Sequence, residues 1–165
     1  MSDTHALLSD YDAEDIIEKD RRHVWHHLLQ HKIHEEQDPK IFVEGQGVRV
    51  TDIHGVEYLD ASSGGVWCVN VGYGRESMAK VIHDQLLRLP YYAGVAGTVP
   101  AAQFADKLTD LLPGLDRVFF ANSGSEANEK AFKIVRQIAH LNGNQKSKVL
   151  YRDRDYHGTT IACLA

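Results

Sequence analysis

The segment FFANSGSEANEKAF, residues 119–132, constrains the fold of this chain more than any other stretch. An apolar run ends in small polar residues and passes directly into a helical pattern with one apolar face. A second short apolar run, residues 148–151, follows that helix. Strand, helix and strand in this order predict a right-handed crossover in a parallel sheet covered on both faces. The sequence therefore predicts the α/β fold class.

The polar turn at residues 122–126 has two interpretations. Ser123, followed three residues later by Glu126, is typical of a capping box, which satisfies a helix N-terminus without any ligand. The capping box does not account for Gly124, because glycine in the first turn of a helix costs about 1 kcal/mol relative to alanine. Glycine suits a backbone that bends sharply or approaches a ligand closely. Free N–H groups and the helix dipole at this end would form a phosphate site, and the turn by itself leaves both interpretations open.

A second polar motif, DYHGTT at residues 155–160, follows the next predicted strand. Tyr156 and His157 are expected at the carboxyl end of that strand, close to the strand that precedes Ser123. Ligands of open parallel sheets bind at this edge. The two motifs together predict an anion-binding cradle beside an aromatic ring that stacks on a flat cofactor.

Periodicity and helix breakers predict the remaining elements. A long helix is expected over residues 12–37, and three short strands over residues 41–61. A glycine-rich connection follows at residues 62–74, and a small-residue loop at residues 90–100. Helices are expected over residues 75–89, 101–112 and 125–140, with buried strands at 117–121 and 148–151.

Composition argues against several functional classes. The net charge of -5 disfavours broad nucleic-acid binding, and no apolar run approaches the roughly 20 residues of a membrane span. The N-terminus lacks a signal-peptide pattern, and the two cysteines, Cys68 and Cys163, lack metal-ligand spacing. A cytoplasmic location is the simplest interpretation. The 165 residues suffice for one domain with a core, although the apolar ending HGTTIACLA leads us to expect the front part of a longer protein.

Several motifs resemble those of one enzyme family. ANSGSEANEKAFKIVR resembles the phosphate-binding segment of class III (omega) aminotransferases, and YHGTT resembles their next cofactor motif. DASSGGVWCVNVGYG resembles the substrate-side loop of the pyruvate-dependent members, and VEGQGVRVTDIHGVEYLDA their N-terminal hairpins. The resemblance implies the N-terminal part of a fold-type I transferase that depends on pyridoxal 5′-phosphate. Residues 1–60 would belong to its small domain and residues 61–165 to the first part of its large, cofactor-binding domain.

The resemblance also implies roles for individual residues. It carries phosphate binding onto Gly124 and Ser125, and ring stacking onto Tyr156, with His157 and Gly158 beside the ring. No residue of this chain is implied as catalytic, because the lysine that forms a Schiff base with the cofactor is expected beyond residue 165. The acid that pairs with the pyridine nitrogen is expected there too.

On the substrate side, the resemblance implies that Trp67 lines the substrate pocket, with Val66 as its neighbour. It implies pyruvate as the amino acceptor and favours taurine as the donor, giving sulfoacetaldehyde and L-alanine. Beta-alanine or another omega-amino acid is the alternative donor, and a non-catalytic protein of the same fold is the alternative function. The family further implies a homodimer or homotetramer, with a partner contact in the loop of residues 90–100.

Two sets of basic residues are given plain interpretations. Lys130 and Lys133 are interpreted as solvated charges on a helix face rather than catalytic lysines. His23, His27 and His31 recur at a spacing of four residues, which can hold zinc on a helix. No cysteine or carboxylate completes that set, so we predict a polar helix face and no metal site.

Overall fold

The computed structural model describes residues 11–92 and 95–164. These divide into two compact units, which meet in the sequence between Tyr91 and Tyr92. No helix in the described part of the chain is long and apolar enough to cross a membrane. The domain boundary expected at residue 60 stays a prediction.

The helices and strands follow the predicted order with one large exception at the N-terminus. The first unit contains α1 (Ala13–His23), α2 (His31–Glu36), β1 (Phe42–Gln46), β2 (Arg49–Asp52), β3 (Glu57–Leu59) and α3 (Glu76–Arg88). The second unit contains α4 (Val99–Leu111) and α5 (Gly124–Leu141). The three predicted strands and the three later helices are confirmed, with ends that differ by one or two residues.

The prediction of one helix over residues 12–37 is wrong. Helix α1 is capped by Asp12, whose carboxylate accepts hydrogen bonds from the backbone N–H groups of Glu14 and Asp15. It stops at Val24, which is extended, and Leu28 in the connection has a left-handed φ of 56°. Valine and tryptophan at this point are weak helix formers, so contacts outside the helix decide the path. The histidines at four-residue spacing consequently do not share one helical face.

The sheet of the first unit is antiparallel, in the order β1-β2-β3. Val50 in the central strand lies opposite Gly45 of β1 and Tyr58 of β3. Gly45 leaves room for the ring of Tyr73, because a Cβ at this glycine would lie 2.6 Å from the ring's Cγ. The sheet thus packs against the start of the segment that leads into α3.

Asp52 closes the turn between β2 and β3. Its carboxylate accepts hydrogen bonds from the N–H groups of His54 (3.0 Å) and Val56 (2.9 Å), and from the hydroxyl of Tyr58 (2.8 Å). Burial acts to raise the pKa of Asp52, but these hydrogen bonds outweigh it and leave the pKa below its usual value. The turn is therefore held by a carboxylate that stays ionised.

The strands predicted at residues 117–121 and 148–151 are not formed in the described residues, and this prediction is wrong for them. Phe119 is 69% exposed and Leu150 is 94% exposed. A strand exists only where its backbone N–H and C=O groups pair with a neighbour, and neither segment has a partner strand in the described ranges. The parallel sheet that these segments predict is therefore absent from the described part of the chain.

The apolar faces of the helices form as predicted, but other described residues do not cover them. Within the described residues, the buried apolar side chains are Ile17, Val50, Ala139 and Cys163. The predicted stripe of α3, including Met78 and Val81, is more than half exposed at both of these positions. The core expected from the chain length is not assembled by the described residues.

Candidate functional site

The turn before α5 contains the helix cap that the sequence predicts. Ser123 is the N-cap, and its hydroxyl accepts a hydrogen bond from the N–H of Glu126 at 3.2 Å. The carboxylate of Glu126 accepts the N–H of Asn122 at 2.9 Å, one residue before the cap. Both side chains thus cap the N-terminus of the helix, with the difference from a standard capping box that Glu126 accepts from the residue before the N-cap rather than from Ser123.

Gly124 is not explained by a bend. Its φ is not left-handed, and a Cβ at this position would meet nothing within 4 Å. No hydrogen bond among the described residues uses the N–H of Gly124 or Ser125. Two N–H groups without a partner among the described residues lie beside open space at the positive end of an 18-residue helix, which leaves room for an anion.

Side-chain and backbone hydrogen bonds join this helix start to the YHGTT segment. The hydroxyl of Ser125 accepts the N–H of Thr159 at 3.0 Å, and the amide of Asn128 donates to the carbonyl of His157 at 2.7 Å. Gly158 lies between them with a φ of 135°. A Cβ on Gly158 would overlap the Ser125 hydroxyl and lie 2.9 Å from the Ser125 Cβ, so only glycine fits. We call residues 123–128 and 156–160 together the cradle.

The cradle lines a cavity of about 480 Å³ that is open to solvent. All five residues predicted for the cofactor line it: Gly124, Ser125, Tyr156, His157 and Gly158. Tyr156 is 70% exposed, whereas Nε2 of His157 and Oγ1 of Thr160 are buried without a partner in the described residues. The structure thus brings the predicted cofactor residues together, and their binding role stays a prediction.

Lys130 is not the solvated charge that the sequence suggests. Its ammonium donates to the carbonyl of Phe120 at 2.5 Å and lies 4.2 Å from the centre of the Phe119 ring. The Phe120 ring in turn stacks on Phe104 of α4 at 6.0 Å. Lys130 therefore ties α5 to the segment that leads into the cradle, while Lys133 is exposed as predicted.

Sequence reasoning missed three residues of the cradle: Asn128, Thr159 and Thr160. Asn128 lies three residues after Ser125 and so on the same face of α5, which is the signal that could have identified it. The two threonines follow Gly158 directly, and their backbone and hydroxyl groups face the same cavity. Which of these atoms pair with each other is decided by the fold of the second unit.

The predicted substrate residues lie in the first unit, on a tight turn at Ser63–Trp67. Gly64 and Gly65 both have a φ of 83°, and Trp67 has a φ of 62°, which is strained for a bulky residue. The side chain of Trp67 is 77% exposed, and that of Val66 is also exposed. The turn therefore presents both predicted substrate residues to solvent.

Asp60, which sequence reasoning also missed, organises this turn. Its carboxylate accepts the N–H of Gly64 at 2.6 Å, the hydroxyl of Tyr73 at 2.7 Å, and both the N–H and the hydroxyl of Ser62 at 3.0 Å. The Gly64 N–H above all, then Tyr73, lowers the pKa of Asp60 from 3.8 to about 2. The hydrogen bond that the Tyr73 hydroxyl donates to Asp60 raises the pKa of Tyr73. We call residues 60–67 with Tyr73 the Asp60 turn.

Comparison with known proteins places this geometry in a family. The family model for class-III aminotransferases matches residues 32–165. The hypotaurine/taurine–pyruvate aminotransferase of Paracoccus denitrificans is 62% identical over 96% of this chain, and the taurine–pyruvate aminotransferase of Rhodobacter capsulatus is 59% identical over 98%. The chain spans about 35% of the length of these curated relatives.

A solved structure confirms the fold class. The thermostable (S)-enantioselective omega-transaminase from Thermomicrobium roseum superposes with a TM-score of 0.85 at 34% identity, covering 91% of this chain and 34% of that one. The α/β assignment, as the N-terminal part of such a transferase, is therefore correct even though the described residues lack the parallel sheet. This chain belongs to the class-III aminotransferases, a family of pyridoxal-phosphate-dependent enzymes.

Proposed function

We propose that this chain supplies the phosphate- and ring-binding part of an aminotransferase that moves the amino group of taurine to pyruvate. The products are sulfoacetaldehyde and L-alanine. The names of the relatives with 62% and 59% identity support taurine as donor and pyruvate as acceptor. The observation that carries the proposal is the cradle, where unpaired hydrogen-bonding groups and one exposed aromatic ring surround a single cavity.

The residues of the cradle fit the phosphate of pyridoxal 5′-phosphate. The N–H groups of Gly124 and Ser125 have no other hydrogen bond among the described residues, and the space over Gly124 is open. The Ser125 hydroxyl already accepts the Thr159 N–H, so its own proton is free to donate to a phosphate oxygen. The buried Oγ1 of Thr160 lines the same cavity and offers another donor.

The residues of the YHGTT segment fit the flat ring of the cofactor. Tyr156 offers an exposed aromatic face at the rim of the cavity. His157 is fixed by the hydrogen bond from Asn128 to its carbonyl and by an edge contact with the Tyr151 ring, with 6.2 Å between ring centres. Tyr156 is therefore the side chain proposed to stack on the ring, and His157 and Gly158 set its position.

Each part of the chain then has a defined task. When bound, pyridoxal phosphate acts as an electron sink that lets the donor carbon lose its proton. The cradle holds the phosphate and orients the ring, while the Asp60 turn holds Trp67 and Val66 in the conformation proposed to line the donor pocket. We assign the lysine that bonds the cofactor, and the acid that pairs with its pyridine nitrogen, to the length of the relatives that this chain does not span.

The proposal extends to assembly and location. We propose a homodimer or homotetramer, with a partner contact in the loop of residues 90–100, of which residues 93 and 94 lie outside the described ranges. We propose a cytoplasmic location, which two free cysteines support: Cys68 is exposed and Cys163 is buried, and neither forms a disulfide.

Spectroscopy on the intact protein purified from its source tests the function. Taurine added without pyruvate should remove the visible band of the bound cofactor and release sulfoacetaldehyde. A band that survives taurine but disappears with beta-alanine would overturn the donor assignment and keep the aminotransferase. The absence of any cofactor band would overturn the proposal in favour of a non-catalytic protein of this fold.

A further inference from the structure

Three side chains that would not share one face of a continuous helix meet in the first unit. Asp20 lies on α1, His26 in the connection and His34 on α2. One carboxylate oxygen and one nitrogen from each imidazole lie within 4.8 Å of one another. We call these three residues the Asp-His-His cluster. The cluster differs from the histidines at four-residue spacing, none of which belongs to it.

Two of the three groups are already held in place. The carboxylate oxygens of Asp20 accept from Nε2 of His26 at 2.7 and 2.9 Å. The rings of His26 and His34 meet edge to face, with 4.7 Å between their centres. A metal ion at this point takes the place of the proton that His26 shares with Asp20, so that the carboxylate and the imidazole both become ligands.

The third group points to a missing partner. His34 is only 6% exposed, and its Nε2 is buried with no hydrogen-bond partner among the described residues. A buried polar atom without a partner costs about 1–3 kcal/mol, so such atoms are rare unless something else satisfies them. The side chain of Asp20 is also largely buried, at 11% exposure. A buried carboxylate needs hydrogen bonds or a cation beside it, and a metal ion supplies that positive charge while both imidazoles stay neutral.

We propose that the Asp-His-His cluster binds a divalent transition-metal ion of the zinc class. Two imidazole nitrogens and one carboxylate oxygen are borderline ligands that suit zinc, whereas magnesium and calcium prefer oxygen ligands alone. Solvent completes the fourth position of a tetrahedron. Ligands at the usual zinc distances are about 3.4 Å apart, so binding of the ion widens the 2.7 Å separation between Asp20 and His26 and brings the His34 nitrogen to a similar distance from both.

The ion has a structural task at this place. It links α1, the connection and α2, in addition to the Asp20–His26 hydrogen bond and the ion pair between Arg21 and Asp38. The break in the predicted helix makes the cluster possible, because Asp20, His26 and His34 would not meet on one straight helix. The binding energy of the ion therefore stabilises the folded-back arrangement of this segment.

Zinc titration of the intact, untagged protein tests the proposal. The protein is stripped with a chelator and titrated calorimetrically with Zn²⁺ alone, then with Mg²⁺ alone. We expect one tightly bound zinc per chain, no comparable magnesium binding, and a rise in melting temperature with zinc. Native protein that binds no zinc at micromolar concentration would overturn the proposal.

Matched variants separate the cluster from the other eight histidines of the chain. His34→Asn should weaken the tight site at least 100-fold, and Asp20→Asn should weaken it as well. His27→Asn changes an exposed histidine next to the cluster and should leave zinc binding unchanged. If His34→Asn and His27→Asn bind zinc equally, scattered surface histidines are responsible and the cluster is not a site.

Two further measurements check that the variants are folded and that the metal site is tetrahedral. Far-UV circular dichroism of stripped His34→Asn should match stripped native protein, so that lost zinc binding is not lost folding. Where His34→Asn fails to fold, Asp20→Asn serves in its place. Cobalt in place of zinc should give the intense visible absorption of a tetrahedral site in native protein and not in the variant; weak octahedral absorption in both would contradict the assignment.

Discussion

The Asp60 turn and the cradle each present glycines and an exposed aromatic ring, but they are held over different distances along the chain. The Asp60 carboxylate binds groups that are at most 13 positions away. The cradle joins Asn128 to His157 across 29 positions and Ser125 to Thr159 across 34. One charged side chain therefore organises the first region, whereas the second depends on two separate segments that fit together.

This difference predicts which kind of substitution should destabilise each region most. The Asp60 turn depends on a negative charge, because the carboxylate accepts several hydrogen bonds at once. The cradle depends on space, because the two segments approach closely only where Gly158 lacks a side chain. Changes of charge should affect the first region most, and changes of volume the second. The following variants test this contrast, from the largest expected effect to the smallest.

Gly158→Ala should have the largest effect. The added methyl group would lie 2.9 Å from the Ser125 Cβ and 3.0 Å from the Cys163 Cβ, at a φ of 135° that alanine avoids. Overpacking and backbone strain each cost about 1–3 kcal/mol, so the free energy of unfolding should fall by about 3 kcal/mol or more. Urea unfolding of the intact protein measures this change.

Gly143→Ala is the matched control for Gly158→Ala. Gly143 follows α5 with a φ of 71°, but a Cβ there meets nothing within 4 Å. The variant therefore introduces backbone strain without a steric clash, and should cost about 1 kcal/mol. Equal costs for the two variants would show that close approach at Gly158 is not what holds the cradle.

Ser125→Ala removes the hydroxyl that joins the two cradle segments and is proposed to bind phosphate. Cofactor affinity should weaken by about 1–3 kcal/mol, the range for a lost charge-assisted hydrogen bond. Equilibrium dialysis of the cofactor measures it. Ser77→Ala, at an exposed serine in the first turn of α3, is the control and should change nothing. Unchanged cofactor affinity in Ser125→Ala would refute the role of this hydroxyl.

Asp60→Asn tests the charge that holds the Asp60 turn. The folded pKa of about 2 lies below the usual 3.8, so the carboxylate stabilises the turn above pH 4 and loses that contribution as the pH falls towards 2. The fluorescence of the intact protein minus that of its Trp67→Phe variant isolates the signal of Trp67. The native signal should change between pH 4 and pH 2.

The Asp60→Asn variant should show the altered fluorescence already at pH 7 and lack the acid transition. This comparison separates Asp60 from the other carboxylates, which titrate in both proteins. A native-like signal at pH 7 in the variant would mean that the charge of Asp60 is not needed to hold the turn.

Trp67→Ala should have the smallest effect on stability and a selective effect on substrate. Its side chain is mostly exposed, so little packing is lost. A contact in a donor pocket is worth about 1 kcal/mol or more, so the KM for taurine should change about fivefold while cofactor affinity stays the same. Trp25→Ala, at another highly exposed tryptophan, is the control. A donor profile that does not change would reduce Trp67 to a surface residue.

Sequence reasoning succeeded where a feature depends on neighbouring residues. The cap formed by Ser123 and Glu126 follows from their spacing, and the three antiparallel strands follow from turn residues between short apolar runs. The family resemblance identified five residues that line one cavity. It did not identify Asn128 or Thr160, because their roles depend on which atoms of the two segments face each other.

The failures have physical causes in long-range contacts. Periodicity predicted one helix over residues 12–37, but an aspartate–histidine hydrogen bond and an ion pair turn the chain back. The segments at 117–121 and 148–151 have the composition of strands, but a strand needs a paired neighbour that the described residues do not provide. Lys130 looked solvated because its partner, the Phe120 carbonyl, is ten positions away and not on the helix.

The sequence by itself determined the three later helices, the hairpins, the cap of α5 and the family, since each rests on residues that are close together in the chain. Tertiary structure alone decided that Asp20 meets His26 and His34, that Ser125 meets Thr159, and that Gly158 must be glycine. Local interactions set backbone conformation, whereas the pairing of distant polar groups depends on how whole elements pack.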